Sequence, residues 1–264
     1  MSIFGISFEH CYIKNGMRNL LLLVVFTVFS VYGQDGNSGV FYNLDHALAH
    51  PNDVIELDLS NQSISQLDWR IRKLVNLEKL DLSENHLREI PWEIRYLKNL
   101  KELDLSKNKL REIPWEIRYL DGLEELDVSH NELKKLPWQI QYLRQLKVFD
   151  ASHNDLTQIP WEIRYLKLLY ELDFSHNYLT EIPWQIRYLS SLKELDLSDN
   201  QITKIPWEIR YLEGLRKLDV SDNRISELPW QLKYCKNLRK LKIRGNSIEK
   251  IPYEIKSKPN LQIY

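Results

Sequence analysis

The chain writes one line over and over. "LEKLDLSENHLREIPWEIRYLKN" fills residues 77–99, "LKELDLSKNKLREIPWEIRYLDG" fills 100–122, and steps of 23 lead on to "LRKLKIRGNSIEKIPYEIKSKPN" at 238–260. A weaker first copy, "VIELDLSNQSISQLDWRIRKLVN", occupies 54–76, so nine copies span 54–260 before the stub "LQIY" at 261–264. A fixed period of this length constrains the fold more than any other feature, because it means a solenoid. One copy cannot bury its own apolar side chains, so neighbours stack and share a continuous core.

Columns counted from the leading Leu give the geometry of one copy. Columns 4 and 6 are apolar and column 5 is polar, as in Leu80-Asp81-Leu82, which is the alternation of a short strand with one buried face. Column 9 is Asn in eight copies, from Asn85 to Asn246, and its side chain is suited to bond the backbone of its own turn and of its neighbour. The first copy has Gln62 there, so that rung is doubtful. Columns 14, 18 and 21 are apolar (Ile90, Ile94, Leu97) and Pro stands in column 15. That spacing predicts a short helix with Pro at its first position. The expected architecture is an α/β solenoid: a curved parallel sheet on the concave face and short helices on the convex face.

The motif LxxLxLxxNxL, read here as Leu77-Leu80-Leu82-Asn85-Leu87, followed by IPxxIxxLxxL, resembles the leucine-rich repeat superfamily in its 23-residue class, as in secreted bacterial members. The resemblance implies a curved solenoid that binds another macromolecule, most often a protein, and it brings no catalytic residues. No cofactor is expected. No glycine-rich phosphate loop, HExxH, GxSxG or paired CxxC occurs in the sequence. With 36 basic and 37 acidic residues the chain has no basic excess to drive nucleic-acid binding.

The ends read differently. Lys14 and Arg18 precede the apolar run Leu20–Phe29, and Val31-Tyr32-Gly33 offers a small-residue cleavage point. Residues 1–33 therefore read as a secretory signal, with Met17 an alternative start, and the expected location is secreted or periplasmic, at the cell envelope. The apolar run is too short for a bilayer span, so no stable transmembrane segment is expected after processing. Residues 34–53 read as an N-terminal cap, in which Asn43 caps a short helix ended by Pro51 while Leu44, Ala47 and Leu48 cover the first copy. Of two cysteines, Cys11 lies in the signal and Cys235 replaces a core Leu, so no disulfide is expected.

Two faces carry functional candidates. On the concave face, column 5 is Asp and column 7 is Ser in eight copies, both expected to point outward as an acidic strip for a basic partner or a cation, or simply as solvated consensus. Around the fifth to seventh copies the face changes character, giving Val148, Asp150, His153, Tyr170, Asp173, His176, Tyr178 and Asp196 as candidate partner-binding residues. His130, His153 and His176 follow one another in column 8, but a linear ladder suits tetrahedral zinc poorly and no metal site is assigned. On the convex face, Trp69, Trp92, Trp115, Trp138, Trp161, Trp184, Trp207 and Trp230 all occupy column 16 and form an aromatic ridge. The ridge reads either as packing, each indole flat against the next copy under an Arg, or as a surface for glycan, protein or self-association.

Overall fold

A computed structural model describes residues 39–264. The signal-peptide reading of residues 1–33 lies outside the described residues, as do the first residues of the cap. Eleven short strands form one parallel sheet in sequence order: β1 Val40–Phe41, β2 Glu56–Asp58, β3 Lys79–Asp81, β4 Glu102–Asp104, β5 Glu125–Asp127, β6 Val148–Asp150, β7 Glu171–Asp173, β8 Glu194–Asp196, β9 Lys217–Asp219, β10 Lys240–Lys242 and β11 Gln262–Ile263. From β2 to β10 each strand pairs with the next at an offset of 23 residues, as in Leu80↔Leu103 and Leu103↔Leu126. Equal columns therefore lie side by side. The sheet is not closed into a barrel.

The apolar columns point into one core. Leu80, Leu82, Leu87, Ile94 and Leu97 are all buried, and their equivalents repeat this along the stack to Leu241. Phe149 and Phe174 meet edge to face at 5.6 Å between ring centroids, and the smaller Ala151 lies within the same core. The aromatic volume stands where Leu stands in other copies.

The Asn column forms the expected ladder. Asn154, buried, donates its side-chain amide to the carbonyls of Val128 in the preceding copy and of Ala151 and Ser152 in its own, at 2.9, 3.2 and 3.0 Å. Its Oδ1 accepts from the Leu133 amide at 3.0 Å. Gln62 is too long for that rung. Its side chain instead donates to the Tyr42 carbonyl at 3.0 Å, tying the first copy to the N-terminal segment. There Asn43 accepts from the His46 amide at 3.0 Å and caps α1 (Leu44–Ala49), with Ala47 buried against the stack.

The outer segments differ from the expectation. They are five-residue 3₁₀ turns such as Trp92–Tyr96 rather than α-helices, closed by i→i+3 bonds from Ile94 N–H to the Pro91 carbonyl and from Leu97 N–H to the Ile94 carbonyl. Five residues are too few to gain from i→i+4 pairing before the chain must turn back, and short runs favour the tighter ring. Pro91 sits one position earlier than predicted, at the N-cap with extended φ −66° and ψ 148°. Only the last outer segment described, α2 (Tyr253–Lys256), is α-helical.

Candidate functional site

In-register pairing turns columns 3 and 5 into two parallel rows on the open face of the sheet. Asp104, Asp127, Asp150 and Asp173 stand opposite one another on β4 to β7, and Glu102, Glu125, Val148 and Glu171 form the row beside them. Strand spacing places adjacent members about 5 Å apart. Together they line an open trough of about 360 Å³.

Each Asp also does local work. Its Oδ1 accepts the amide of the Ser two residues on, at 2.8 Å for Asp127 with Ser129 and for Asp150 with Ser152. This Asx turn leads into column 8, where every copy has positive φ, from Asn61 at 52° to Gly245 at 71°. The Ser column therefore does not share the outward face as expected: Ser106, Ser129, Ser152 and Ser175 are buried, because the chain is already bending into the turn. Column 8 was legible as a left-handed position from Asn61, Asp199, Asp222 and Gly245, types that tolerate it, but Glu, Lys and His at the other copies mask the signal.

Among the described residues, cations come within ion-pair distance of the carboxylate rows only towards their ends. Lys79 pairs with Glu102 at 2.6 Å, Lys217 lies 3.5 Å from Asp196, and Lys242 pairs with Asp219 at 2.6 Å. Between these, Asp104, Glu125, Asp127, Asp150, Glu171 and Asp173 have no basic partner within ion-pair distance among the described residues. The consequence is electrostatic frustration. Burial and then the charges of Asp150 and Asp104 push the Asp127 carboxyl up to about 7. Asp173 is raised to about 6 by burial and by Asp150 and Asp196, against the opposing hydrogen bonds from Ser175. Burial followed by a like-charged neighbour also raises Glu125 and Glu171. At the far end burial pushes Asp219 up, but hydrogen bonds from Lys242 and Ser221 outweigh it and hold the carboxyl below its usual range. The carboxylates are thus not equivalent, as their uniform spacing in the sequence had implied.

The eight residues expected at the binding face separate into two groups. Val148, Asp150, Asp173 and Asp196 are on β6 to β8 in the carboxylate rows, half-buried. Tyr170 immediately precedes β7, and its phenol pKa is raised by burial and then by the charges of Glu125 and Glu171. His153, His176 and Tyr178 lie beyond the strand ends, past the Asx turn, and form a rim rather than a floor. Tyr178 is 51% exposed. The imidazoles of His130, His153 and His176 stack face to face with 4.0 Å between successive centroids. Burial, then the charges of its two stacked neighbours, lower the His153 pKa. Parallel rings hold their lone pairs in separate planes, and among the described residues no three His, Cys, Asp or Glu are arranged to hold a metal. The sequence reading named Asp127 only as a member of the acidic strip and missed Glu125 and Glu171, which line the trough with it.

On the outer face, each Trp opens a 3₁₀ turn and is 43–51% exposed. A guanidinium from column 19 of the same turn covers most of the indoles. Arg95 lies 4.4 Å from the Trp92 ring centre, and Arg118, Arg164 and Arg210 lie at 4.6, 4.5 and 4.7 Å from Trp115, Trp161 and Trp207. A 3₁₀ turn eclipses residues three apart, so columns 16 and 19 superpose. Arg118, Arg164 and Arg210 also donate to the hydroxyl of the following Tyr at 2.7 Å. Two copies break the pattern. Gln141 stands where Arg would cover Trp138, and Arg187 leaves Trp184 for the Tyr211 ring at 4.3 Å.

The geometry agrees with comparisons to known proteins. The leucine-rich repeat model matches residues 53–110, 75–133, 98–156 and 167–225, and a two-copy leucine-rich repeat model matches 213–257. No curated protein matches the chain significantly. Among solved structures, a leucine-rich repeat protein of Leptospira interrogans superposes with a TM-score of 0.66 at 28% identity, covering 85% of this chain and 75% of that one. An internalin of Listeria monocytogenes gives 0.75 at 20% identity over 84% and 63%, a likeness of fold alone. The plant peptide hormone receptor RGFR1, solved in complex with RGF2, gives 0.67 at 27% identity over 85% and 41%. The chain thus spans less than two thirds of the internalin and of the receptor. No helix among the described residues is long and apolar enough to cross a membrane. With its strand, Asn ladder and outer turn recurring every 23 residues and the family model matching most of its length, the chain belongs to the leucine-rich repeat family.

Proposed function

We infer that this protein is an exported, non-catalytic protein-binding solenoid whose sheet face holds a cationic segment of its partner. The observation that carries the reading is the run of carboxylates from Asp104 to Asp173 with no basic partner within ion-pair distance among the described residues. Like charges at strand spacing are costly. A lysine- or arginine-rich segment laid across β4 to β7 relieves that cost and raises its own affinity and association rate. Val148 and Tyr170 supply apolar contact within the polar rows, and Tyr178 with the histidine stack borders them. The resemblance to a plant peptide hormone receptor solved in complex with RGF2 supports a peptide or protein ligand.

The test is direct. A lysine-rich synthetic peptide is titrated into the full chain and into a variant carrying Glu125→Gln, Asp127→Asn and Tyr170→Ala. Binding weakened by about tenfold or more supports the reading, since charge-assisted contacts each carry on the order of 1 kcal/mol. Equal affinity for both proteins overturns it. Export is part of the same reading, and N-terminal sequencing of protein recovered from the envelope or medium checks it. A start near residue 34 is expected, and an intact Met1 or Met17 refutes it.

A further inference from the structure

The outer turns present a row of guanidinium groups beside their indoles. Arg72, Arg95, Arg118, Arg164, Arg187 and Arg210 approach no carboxylate within ion-pair distance among the described residues, although lysines elsewhere on the surface do so repeatedly. Their contacts are aromatic: five lie over the indole or phenol of their own turn, and Arg187 reaches Tyr211 of the next copy. A guanidinium carries five N–H donors, and a single bond to a Tyr hydroxyl leaves most of them directed outward.

We propose that the outer ridge is a second binding surface, separate from the sheet face, for a linear uronate-bearing polysaccharide. Three observations select this occupant. The cations call for an anion, and a carboxylate matches the guanidinium fork. The same Trp-Arg-Tyr group recurs once per copy, so the complementary ligand is itself a repeating polymer rather than a globular surface with one central anchor. Sugar rings present C–H faces to aromatic rings, and Trp138 and Trp184, 49% and 46% exposed, carry no cation over their indoles, so both offer an open face. A single-stranded nucleic acid is also anionic and stacks on aromatics, and it is one rival occupant. A second copy of this chain, docking its acidic sheet face on the ridge, is the other rival.

The experiment uses the full chain and four probes: polygalacturonate, neutral dextran of similar length, a thymidine oligonucleotide, and the protein alone at rising concentration. Tryptophan fluorescence and light scattering are the readouts. Polygalacturonate is expected to quench fluorescence and bind at low salt, with affinity falling as salt rises, while dextran binds at least tenfold more weakly. Arg118→Gln, Arg164→Gln and Arg210→Gln combined are expected to reduce polygalacturonate binding by about tenfold. The trough variant Asp127→Asn is expected to leave it unchanged or slightly tighter, which separates this site from the sheet face. Arg187→Gln alone, at a surface contact, gives a smaller loss should the triple variant fold poorly. No binding of polygalacturonate, equal binding of dextran, tighter binding of the oligonucleotide, or concentration-dependent association abolished by the same substitutions would each overturn the proposal.

Discussion

Replacing Asp127 by Asn tests whether the trough is held at a cost to the fold. The change keeps the side-chain oxygen that accepts the Ser129 amide at 2.8 Å, so the turn survives, and it removes one charge from between Asp104 and Asp150. At roughly 5 Å each neighbour repels by about 1–3 kcal/mol for effective dielectrics between those of water and of a protein surface. A rise from 3.8 to about 7 corresponds to roughly 4 kcal/mol as a ceiling, which solvent reaching the open trough reduces. We therefore expect Asp127→Asn to stabilise the protein by about 1–2 kcal/mol at pH 8, or roughly 2–8 °C in Tm for a chain of this size. The sign with pH follows from proton counting. Between about pH 4 and 7 the folded state holds a proton on Asp127 that the unfolded chain has released, so this group makes stability fall as pH rises through that window and level off above it. The gain in the variant is thus largest at pH 8, shrinks on acidification and is gone near pH 4. Urea titrations of both proteins at several pH values measure it. A variant that is less stable at pH 8, or a gain independent of pH, would refute the reasoning.

Other expectations follow from the same contacts. Asn154→Ala leaves the carbonyls of Val128, Ala151 and Ser152 and the Leu133 amide without their side-chain partner, and we expect a loss of about 3–5 kcal/mol in unfolding free energy, measured by urea titration. Ala151→Leu restores the residue type of four other copies (Leu59, Leu82, Leu105 and Leu197), yet we expect it to destabilise by about 1–3 kcal/mol, because Phe149 and Phe174 already enlarge the same core; a stabilised variant would mean the core is loose there. The His153 imidazole should titrate below the ordinary value of 6.5 in an NMR pH series, and a midpoint at or above it would contradict the stacked arrangement.

The fold was legible because the period and the apolar columns state it twice. Leu80 and Leu82 mark the strand, Ile90, Ile94 and Leu97 the outer turn, and both sets converge on one interior. What escaped the sequence was dihedral and electrostatic. The spacing of Ile94 and Leu97 fits an α-helix and a 3₁₀ turn equally, and only the length of the return decides between them. The expected site was centred on departures from consensus, such as Tyr178 and His176, since variation draws the eye in a repeated text. The trough instead depends on what does not vary. Glu125, Asp127 and Glu171 are ordinary members of their columns, and their character comes from the absence of Lys between Lys79 and Lys217 in the same column. Burial in an in-register stack then converts a solvated consensus residue into a carboxyl that titrates near neutrality.

Amide hydrogen exchange of the full chain, with and without a lysine-rich peptide, tests most directly the claim that the carboxylate rows are the partner-binding face. Protection on peptide addition is expected over residues 102–129, 148–154 and 170–178, with the outer turns unaffected. Protection confined to the outer turns, such as 92–96 and 161–165, or no change at any segment, would contradict it.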